Sequence, residues 1–399
     1  MGVQLDARTI ETIGYKGIGF MHRKNFISGF ALFGVETLFF LLIFLFLVLE
    51  KTLPILAVLS SIIGLSAVCS RPQIRRALDE CLTRFKFWAV NYGVLFILAL
   101  PLFLKNNPYQ IFILFNAGLF ALLGLGLNWQ IGSTNIVNFA TGASFATGAY
   151  TAALLAVNTG LSFWILLPLS GLAAAAVGFV LGLPCMKTKT YYLSLVTMAF
   201  TIIVYLLLNN LDFTGGPDGI SGIPYPQIGG YSFGNPIRIF GWEIPFQANF
   251  YYLAVILVAI TFLFDRRLRY SRLGLSWNAI RNDEIAAACQ GIDVTYAKVL
   301  SFCANFFFDG IAGAVFAFSI GHISPESFSF NVSVTVVAIV IVGGMDNAAG
   351  VILGALLMTL IPEKFQVFQD YRMWIFGFII LLMLGLRPKG LLPQTIRKY

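Results

Sequence analysis

One pattern runs through the chain: an apolar stretch near the length of a bilayer-crossing helix, then a short polar connector. A helix needs about 20 apolar residues to cross the hydrocarbon core. Runs of this kind lie at 28–49, 53–70, 87–104, 110–129, 136–156, 162–183, 191–208, 250–264, 299–320 and 371–386, with shorter pieces at 332–342 and 350–362. Of the 399 residues 58% are hydrophobic and 11% charged, and mean hydropathy is +0.83. Soluble domains carry about 25% charged residues, so a water-soluble fold could not hide this much apolar surface. The expectation is an all-α, polytopic transmembrane helical bundle of about 10–12 membrane segments, some short or interrupted. The first run begins near Ser28, is too long for a signal-peptide core and has no small-residue cleavage site after it, so it reads as a retained helix.

Basic residues tend to stay on the cytoplasmic side of a membrane protein. They cluster at 71–86 (Arg71, Arg75, Arg76, Arg84, Lys86), at Lys187 and Lys189, at 265–298 (Arg266, Arg267, Arg269, Arg272, Arg281, Lys298) and near the C-terminus (Arg387, Lys389, Arg397, Lys398). The long segment 209–250 holds only Arg238 against Asp212, Asp218 and Glu243. Twelve crossings put every basic cluster on one side, that loop on the other, and both termini in the cytoplasm. The net charge of +8 then reports cytoplasmic loops rather than nucleic-acid binding. The cysteines (69, 81, 185, 289, 303) show no CxxC spacing, and the only histidines are His22 and His322, so no disulfide framework or metal site is expected.

Two segments break the apolar pattern. GLNWQIGSTNIVNFATGASFATGAY (Gly126–Tyr150) is interrupted by Gly, Asn, Ser and Thr, and the turn GGMDNAAG (Gly343–Gly350) divides two pieces too short to span upright. Irregular backbone at membrane depth survives only where protein or water covers it. Such breaks point to a transport path or to a close helix-packing surface. Path candidates are Asn128, Thr134, Asn135, Asn138, Thr141 and Thr147 near the first break, and Ser333 and Thr335 near the second. For each, a hydrogen bond between packed helices is the competing reading. Asp309 lies within the apolar run 299–320, where an acid is either functional, paired, or close enough to the cytoplasmic end to be wetted. Glu36, in the first run, carries the same question. Neither is given a role.

RNDEIAAACQGIDVTYAK (Arg281–Lys298) is a polar, helix-competent segment in the basic connector. Asp283 and Glu284 suit a helix start, the alanines favour helix, and Gly291 permits a tight turn at its end. Asp293 and Thr295 can cap the helix that follows. The result would be a slim helix able to lie in a partner's groove, or an ordinary solvated connector.

EIAAACQG is similar to the cytoplasmic coupling loop of ABC importer membrane subunits, where Glu-Ala-Ala precedes a Gly. GLGLNWQIG, ATGAYTAAL, YYLSLVTMAF and LDFTGGPDGISGIP precede it, and FFFDGIAGAVFA, ISPESFSFNVSV, VIVGGMDNAAGVILGAL and LRPKGLL follow it, all in the order seen in such permeases. From about Phe87 onward the chain resembles branched-chain amino acid ABC transporter permeases of the LivM type. It departs from the pattern at Thr141, where many relatives carry His, and at Asp309, where a small residue is usual. The resemblance implies an ABC importer permease fold, with residues 1–86 as an N-terminal extension of two membrane helices and a basic cytoplasmic linker. Residues 87–392 would form the permease core, 265–298 its cytoplasmic coupling loop and 393–399 a cytoplasmic tail.

The resemblance also implies partners: a second, related permease subunit, two cytoplasmic ATPases that bind the ATP and magnesium, a periplasmic amino-acid-binding protein, and the lipid of the bacterial inner membrane. Arg281, Asp283, Glu284, Ile285, Ala286, Ala287 and Gly291 would couple to the ATPases. Thr214, Gly215, Gly216, Asp218 and Gly219, in a turn-rich outer loop, would face the binding protein together with ISPESFSFN. The chain lacks the GxxxxGK[ST] phosphate loop, so it is not itself a P-loop ATPase, and the resemblance implies a transport subunit that binds no cofactor and has no catalytic residues. Rival readings are a urea or short-amide importer subunit, whose outer Gly-rich loop differs, and an ATP-independent carrier, which would need more ionisable residues in its spans.

Overall fold

The computed structural model describes residues 72–185, 190–239 and 241–364, with scattered positions in 34–61 and 374–392. Contacts divide the chain into two units, Met1–Asn106 and Asn107–Tyr399. The expected run 53–70, the run 371–386 and both termini lie largely or wholly outside the described residues.

In the first unit, α1 (Pro72–Phe103) is helical over 72–86, in the stretch that the sequence reading makes a linker. Ala, Leu, Arg and Glu in that stretch favour helix, and the interruption is confined to Phe85 (φ −108°, ψ 21°). A preceding apolar stretch packs on α1, with Phe40 stacked on Phe96 at 4.2 Å between centroids.

The second unit contains α2 (Pro108–Thr134), α3 (Thr141–Thr159), α4 (Phe163–Cys185), α5 (Thr190–Asn210), α6 (Gln247–Arg269), α7 (Arg272–Asn282), α8 (Glu284–Cys289), α9 (Val294–Ile320), α10 (Phe330–Gly343) and α11 (Ala348–Lys364). Six stretches among the described residues are long and apolar enough to cross a membrane. One of them, Pro325–Gly343, reaches that length because a single tight turn, Pro325–Phe328, precedes α10. The apolar run 332–342 alone is too short to span.

In their most apolar windows α2 and α9 bury 78% and 72% of their residues, α5 only 17%. The first two are therefore the centre of the unit, and α5 leaves most of its surface uncovered by the rest of the unit. α9 lies against α2, α3 and α4, while α2 also meets α6, α10 and α11. Small residues set these distances. A Cβ built on Gly148 of α3 would lie 2.2 Å from the Gly310 carbonyl oxygen of α9, so the two backbones touch there.

The segment 209–250 carries elements the apolar pattern does not report. Strands β2 (Gln227–Ile228) and β3 (Tyr231–Ser232) form one antiparallel pair, and β4 (Ile237–Ile239) and β5 (Trp242–Ile244) another. β1 (Ile220–Ser221) pairs with the distant β6 (His322–Ile323), in the register Ile220↔Ile323 and Ser221↔His322.

Candidate functional site

The first break is narrower than 126–150. Residues 126–134 stay helical, and the backbone leaves the helix only over 135–140. Asn135 ends α2 in the left-handed region (φ 57°), its N–H donating to Gln130 O. Side chains from elsewhere then replace the missing helical bonds. Thr197 Oγ1 accepts from Phe139 N (3.1 Å), and Thr201 Oγ1 donates to Phe139 O (2.7 Å). At the start of α3, Gly142 N donates to Ser333 Oγ of α10 (2.8 Å), joining the two regions that the sequence reading singled out separately.

Beneath this break lies a buried polar cluster whose amide orientations follow from one backbone donor. Ala140 N donates to Asn138 Oδ1 (2.7 Å), so Asn138 Nδ2 must donate to Gln130 Oε1 (2.7 Å). The same oxygen accepts from Asn305 Nδ2 (3.4 Å). Asn305 Oδ1 is left without a donor beside Gly126, as is Asp309 Oδ1. A Cβ on Gly126 would sit 2.6 Å from the first and 3.4 Å from the second. Asp309 is fully buried, and its Oδ2 accepts from Ser144 Oγ (2.6 Å), which removes the wetted-end reading of this acid. Gln130 Nε2 is likewise without a partner, so the cluster holds both an unpaired donor and unpaired acceptors inside an apolar wall.

The candidates therefore separate. Asn138, Thr141 and Ser333 are buried together at the break, and Thr141 Oγ1 has no partner. Thr134, Thr147 and Thr335 donate to carbonyls of their own helices, and Asn135 is an exposed cap. Asn128 belongs to a second cluster: its Oδ1 accepts from Asp346 N (2.8 Å) in the turn between α10 and α11.

In that second cluster the Asp346 side chain is wholly buried, and its backbone is in the left-handed region (φ 62°). Its Oδ1 accepts from Ser133 Oγ (3.1 Å) and lies 3.3 Å from Arg269 Nη1. Its Oδ2 lies 3.6 Å from Arg281 Nη1. Arg269 Nη1 also donates to Asp346 O, and Arg269 Nε to Asp265 Oδ2 (2.6 Å). Asp265 Oδ1 in turn accepts from Trp129 Nε1 (2.8 Å). Gly132 makes this possible, because a Cβ there would lie 2.5 Å from Asp346 N. Leu391 N and Leu392 N donate to Val342 O and Gly343 O (2.9 and 3.2 Å), so these two residues close the end of α10.

The coupling segment folds as two short helices. Asp283 ends α7 and caps α8, its Oδ1 accepting from Ile285 N (2.8 Å) and Ala286 N (3.0 Å). Gly291 (φ 83°) closes α8, with Ile292 N donating to Ala287 O (3.2 Å). Asp293 Oδ1 caps α9 by accepting from Tyr296 N (3.0 Å). Glu284 pairs with Lys298. Trp277 Nε1 donates to Ala297 O (2.7 Å), fixing α7 against the start of α9. Ala287 faces this interior at 3% exposure, whereas Ile285 stands out at 78%. The outward apolar residue is thus Ile285, not Ala287.

In the outer loop, Thr214 is buried, and its hydroxyl donates to Leu208 O and Leu211 O at the end of α5 (3.0 and 2.7 Å). Gly216 is also buried, which leaves Gly215 and Asp218 exposed and Gly219 half-buried. Gly219 (φ 70°) passes so close to the loop after α9 that a Cβ would lie 1.9 Å from Ile323 O. The β1–β6 pair thereby joins TGGPDGISGIP to ISPESFSFN across about a hundred residues of chain, a separation read from the register Ser221↔His322.

Comparison with known proteins matches residues 109–384 to the family described as branched-chain amino acid transport system / permease component. The chain belongs to this permease family. It is 38% identical over 347 residues to the high-affinity branched-chain amino acid transport system permease protein LivM of Escherichia coli (strain K12), covering 83% of this chain and 80% of that protein. Identity to LivM of Salmonella typhimurium is 41% over 292 residues, covering 69% and 68%. Identity to LivH, the permease protein of that name from Escherichia coli (strain K12), is 21% over 296 residues, covering 69% and 91%. No solved structure matches.

In this permease the residues that sequence reasoning missed are mostly partners rather than breaks. Gln130, Ser144, Thr197, Thr201 and Asn305 sit inside helices whose apolar pattern hides them. Asp346 carried a visible signal: it is the one acid of GGMDNAAG, between two apolar pieces.

Proposed function

We propose that the permease forms half of the translocation path of an ATP-driven importer of branched-chain amino acids in the bacterial inner membrane. A second, related permease supplies the other half, two cytoplasmic ATPases drive the pair, and a periplasmic binding protein delivers the substrate to the outer loops. Family membership supports this reading, as do the names of the relatives, permease proteins LivM and LivH of branched-chain amino acid transport systems.

One observation carries the docking part. Ile285 stands exposed among Asn282, Asp283 and Glu284, on a short helix capped at both ends, in the basic connector between α6 and α9. An isolated apolar side chain on a rigid polar mount is the form of an anchor for a partner's pocket. ATP-driven movement of the ATPases would pull on 281–298 and rock the helices attached to it. A path for an apolar zwitterion needs an apolar wall with a few dipoles, and Asn138, Thr141 and Ser333 stand at the break as candidates.

The test is radiolabelled leucine uptake in proteoliposomes holding the permease, its partner permease, the ATPases and the binding protein. Uptake is expected to require ATP and every subunit, and to be competed by valine but not urea. Uptake by this chain alone, without ATP, would overturn the reading.

A further inference from the structure

The turn between α10 and α11 is tied to the docking segment by charge. Arg281 lies in the last turn of α7, two residues before the Asp283 cap, and its guanidinium lies 3.6 Å from the carboxylate of Asp346. That carboxylate is wholly buried, and it is shared: Arg269 of α6 and Ser133 of α2 hold its other oxygen. Arg269 is in turn held by Asp265, and Asp265 by Trp129. Backbone bonds from Asp346 to Asn128 and from Arg269 to Asp346 O leave the turn no independent position.

Four chain segments thus meet on one side chain. Two of them, α2 and α10, also frame the break at 135–140, since α10 carries Ser333 and α2 ends at it. A shift of Arg281 away from Asp346 removes one of the two cations that compensate a wholly buried carboxylate, which is costly, so displacement of Arg281 bears directly on Asp346. Arg281 is itself only partly exposed (24%) and lies at the foot of the helix that presents Ile285.

We propose that Asp346 is a positioning residue for coupling: it transmits displacement of the α7–α8 segment, through Arg281, to the α10–α11 turn and the end of α2. This rests on the reading that ATPases dock on α8. Coupling between two sites needs an element that both bias, and the Asp346 turn is held by the docking segment on one side and by the path-bearing helices on the other.

The test uses the complete reconstituted complex and measures leucine taken up per ATP hydrolysed. Asp346→Asn keeps the shape and removes the charge. The ATPases are expected to co-purify with this variant, while uptake per ATP falls roughly tenfold, within the usual range of coupling energies. Arg281→Gln should lower the same ratio to a similar extent, and the double variant should fall no further than either single one. Because Asp346→Asn could fail to fold, Arg281→Gln, at a partly exposed position, tests the link independently. An unchanged ratio in folded Arg281→Gln complex overturns the proposal, as do losses that multiply in the double variant or loss of ATPase binding by Asp346→Asn. Failure of the ATPases to co-purify with the unsubstituted permease would instead overturn the docking reading beneath it.

Discussion

Ile285 and Ala287 are two positions apart on a six-residue helix and do opposite things. The helix turns 100° per residue, so residues two apart point in different directions, and here one points outward and one inward. A bulky residue at position 287 would therefore disturb the packing of α8 on α9 before it reached any partner. Position 285 is the clean probe. Ile285→Asp should leave the permease folded, since the side chain touches little of its own chain, and should weaken ATPase association. A central apolar anchor is worth about 2 kcal/mol, or roughly 30-fold in affinity. Titration of the purified ATPase against detergent-solubilised permease, with melting temperature as the control, measures both halves. At this scale the segment and its caps are legible from the residues alone, because Asp283, Gly291 and Asp293 act on their nearest backbone neighbours. It could not reveal which face is buried, because that depends on Trp277 and Ala297.

The elements divide in the same way. The spans are legible because each must be apolar on its own account, and the observed helices follow the apolar runs within a few residues at most ends. The position of the break is not legible. Gly, Asn, Ser and Thr spread from 126 to 150, yet Gly126 and Gly132 lie inside α2, where they admit Asn305 of α9 and Asp346 of the α10–α11 turn. The backbone leaves the helix only where Thr197, Thr201 and Ser333 arrive to bond it. These three come from α5 and α10, and no local pattern marks them as partners. Ser333 makes the cost measurable. Ser333→Ala leaves Gly142 N–H buried without its acceptor, a loss of about 1–3 kcal/mol. A lower melting temperature in detergent is expected, with ATPase co-purification retained, since α8 lies in a different part of the unit. A melting temperature equal to that of the unsubstituted permease would mean that another acceptor serves Gly142.

At the scale of the whole unit, one helix separates the two surfaces assigned to different partners. α9 begins at the Asp293 cap, immediately after the docking segment, and ends at Gly321, immediately before β6. Its 27 residues at 1.5 Å per residue extend about 40 Å, more than the roughly 30 Å of a hydrocarbon core. β6 is paired to β1 of the Gly-rich loop, so that loop sits at the far end of α9 from Ile285. Charge points the same way: α6 ends in Arg266, Arg267 and Arg269 next to the docking segment, while the loop side has Asp212, Asp218 and Glu243 against Arg238. The two surfaces should therefore be reachable only from opposite faces of the membrane. Ile285→Cys and Asp218→Cys, each in a permease whose natural cysteines are replaced by Ala, separate the cases with a membrane-impermeant thiol reagent. Position 285 should label in inside-out vesicles and stay silent in right-side-out ones, and position 218 should do the reverse. Labelling of both from one side would remove α9 as a crossing helix. Labelling of 285 from the periplasm alone would invert the molecule and deprive the exposed isoleucine of any ATPase to meet.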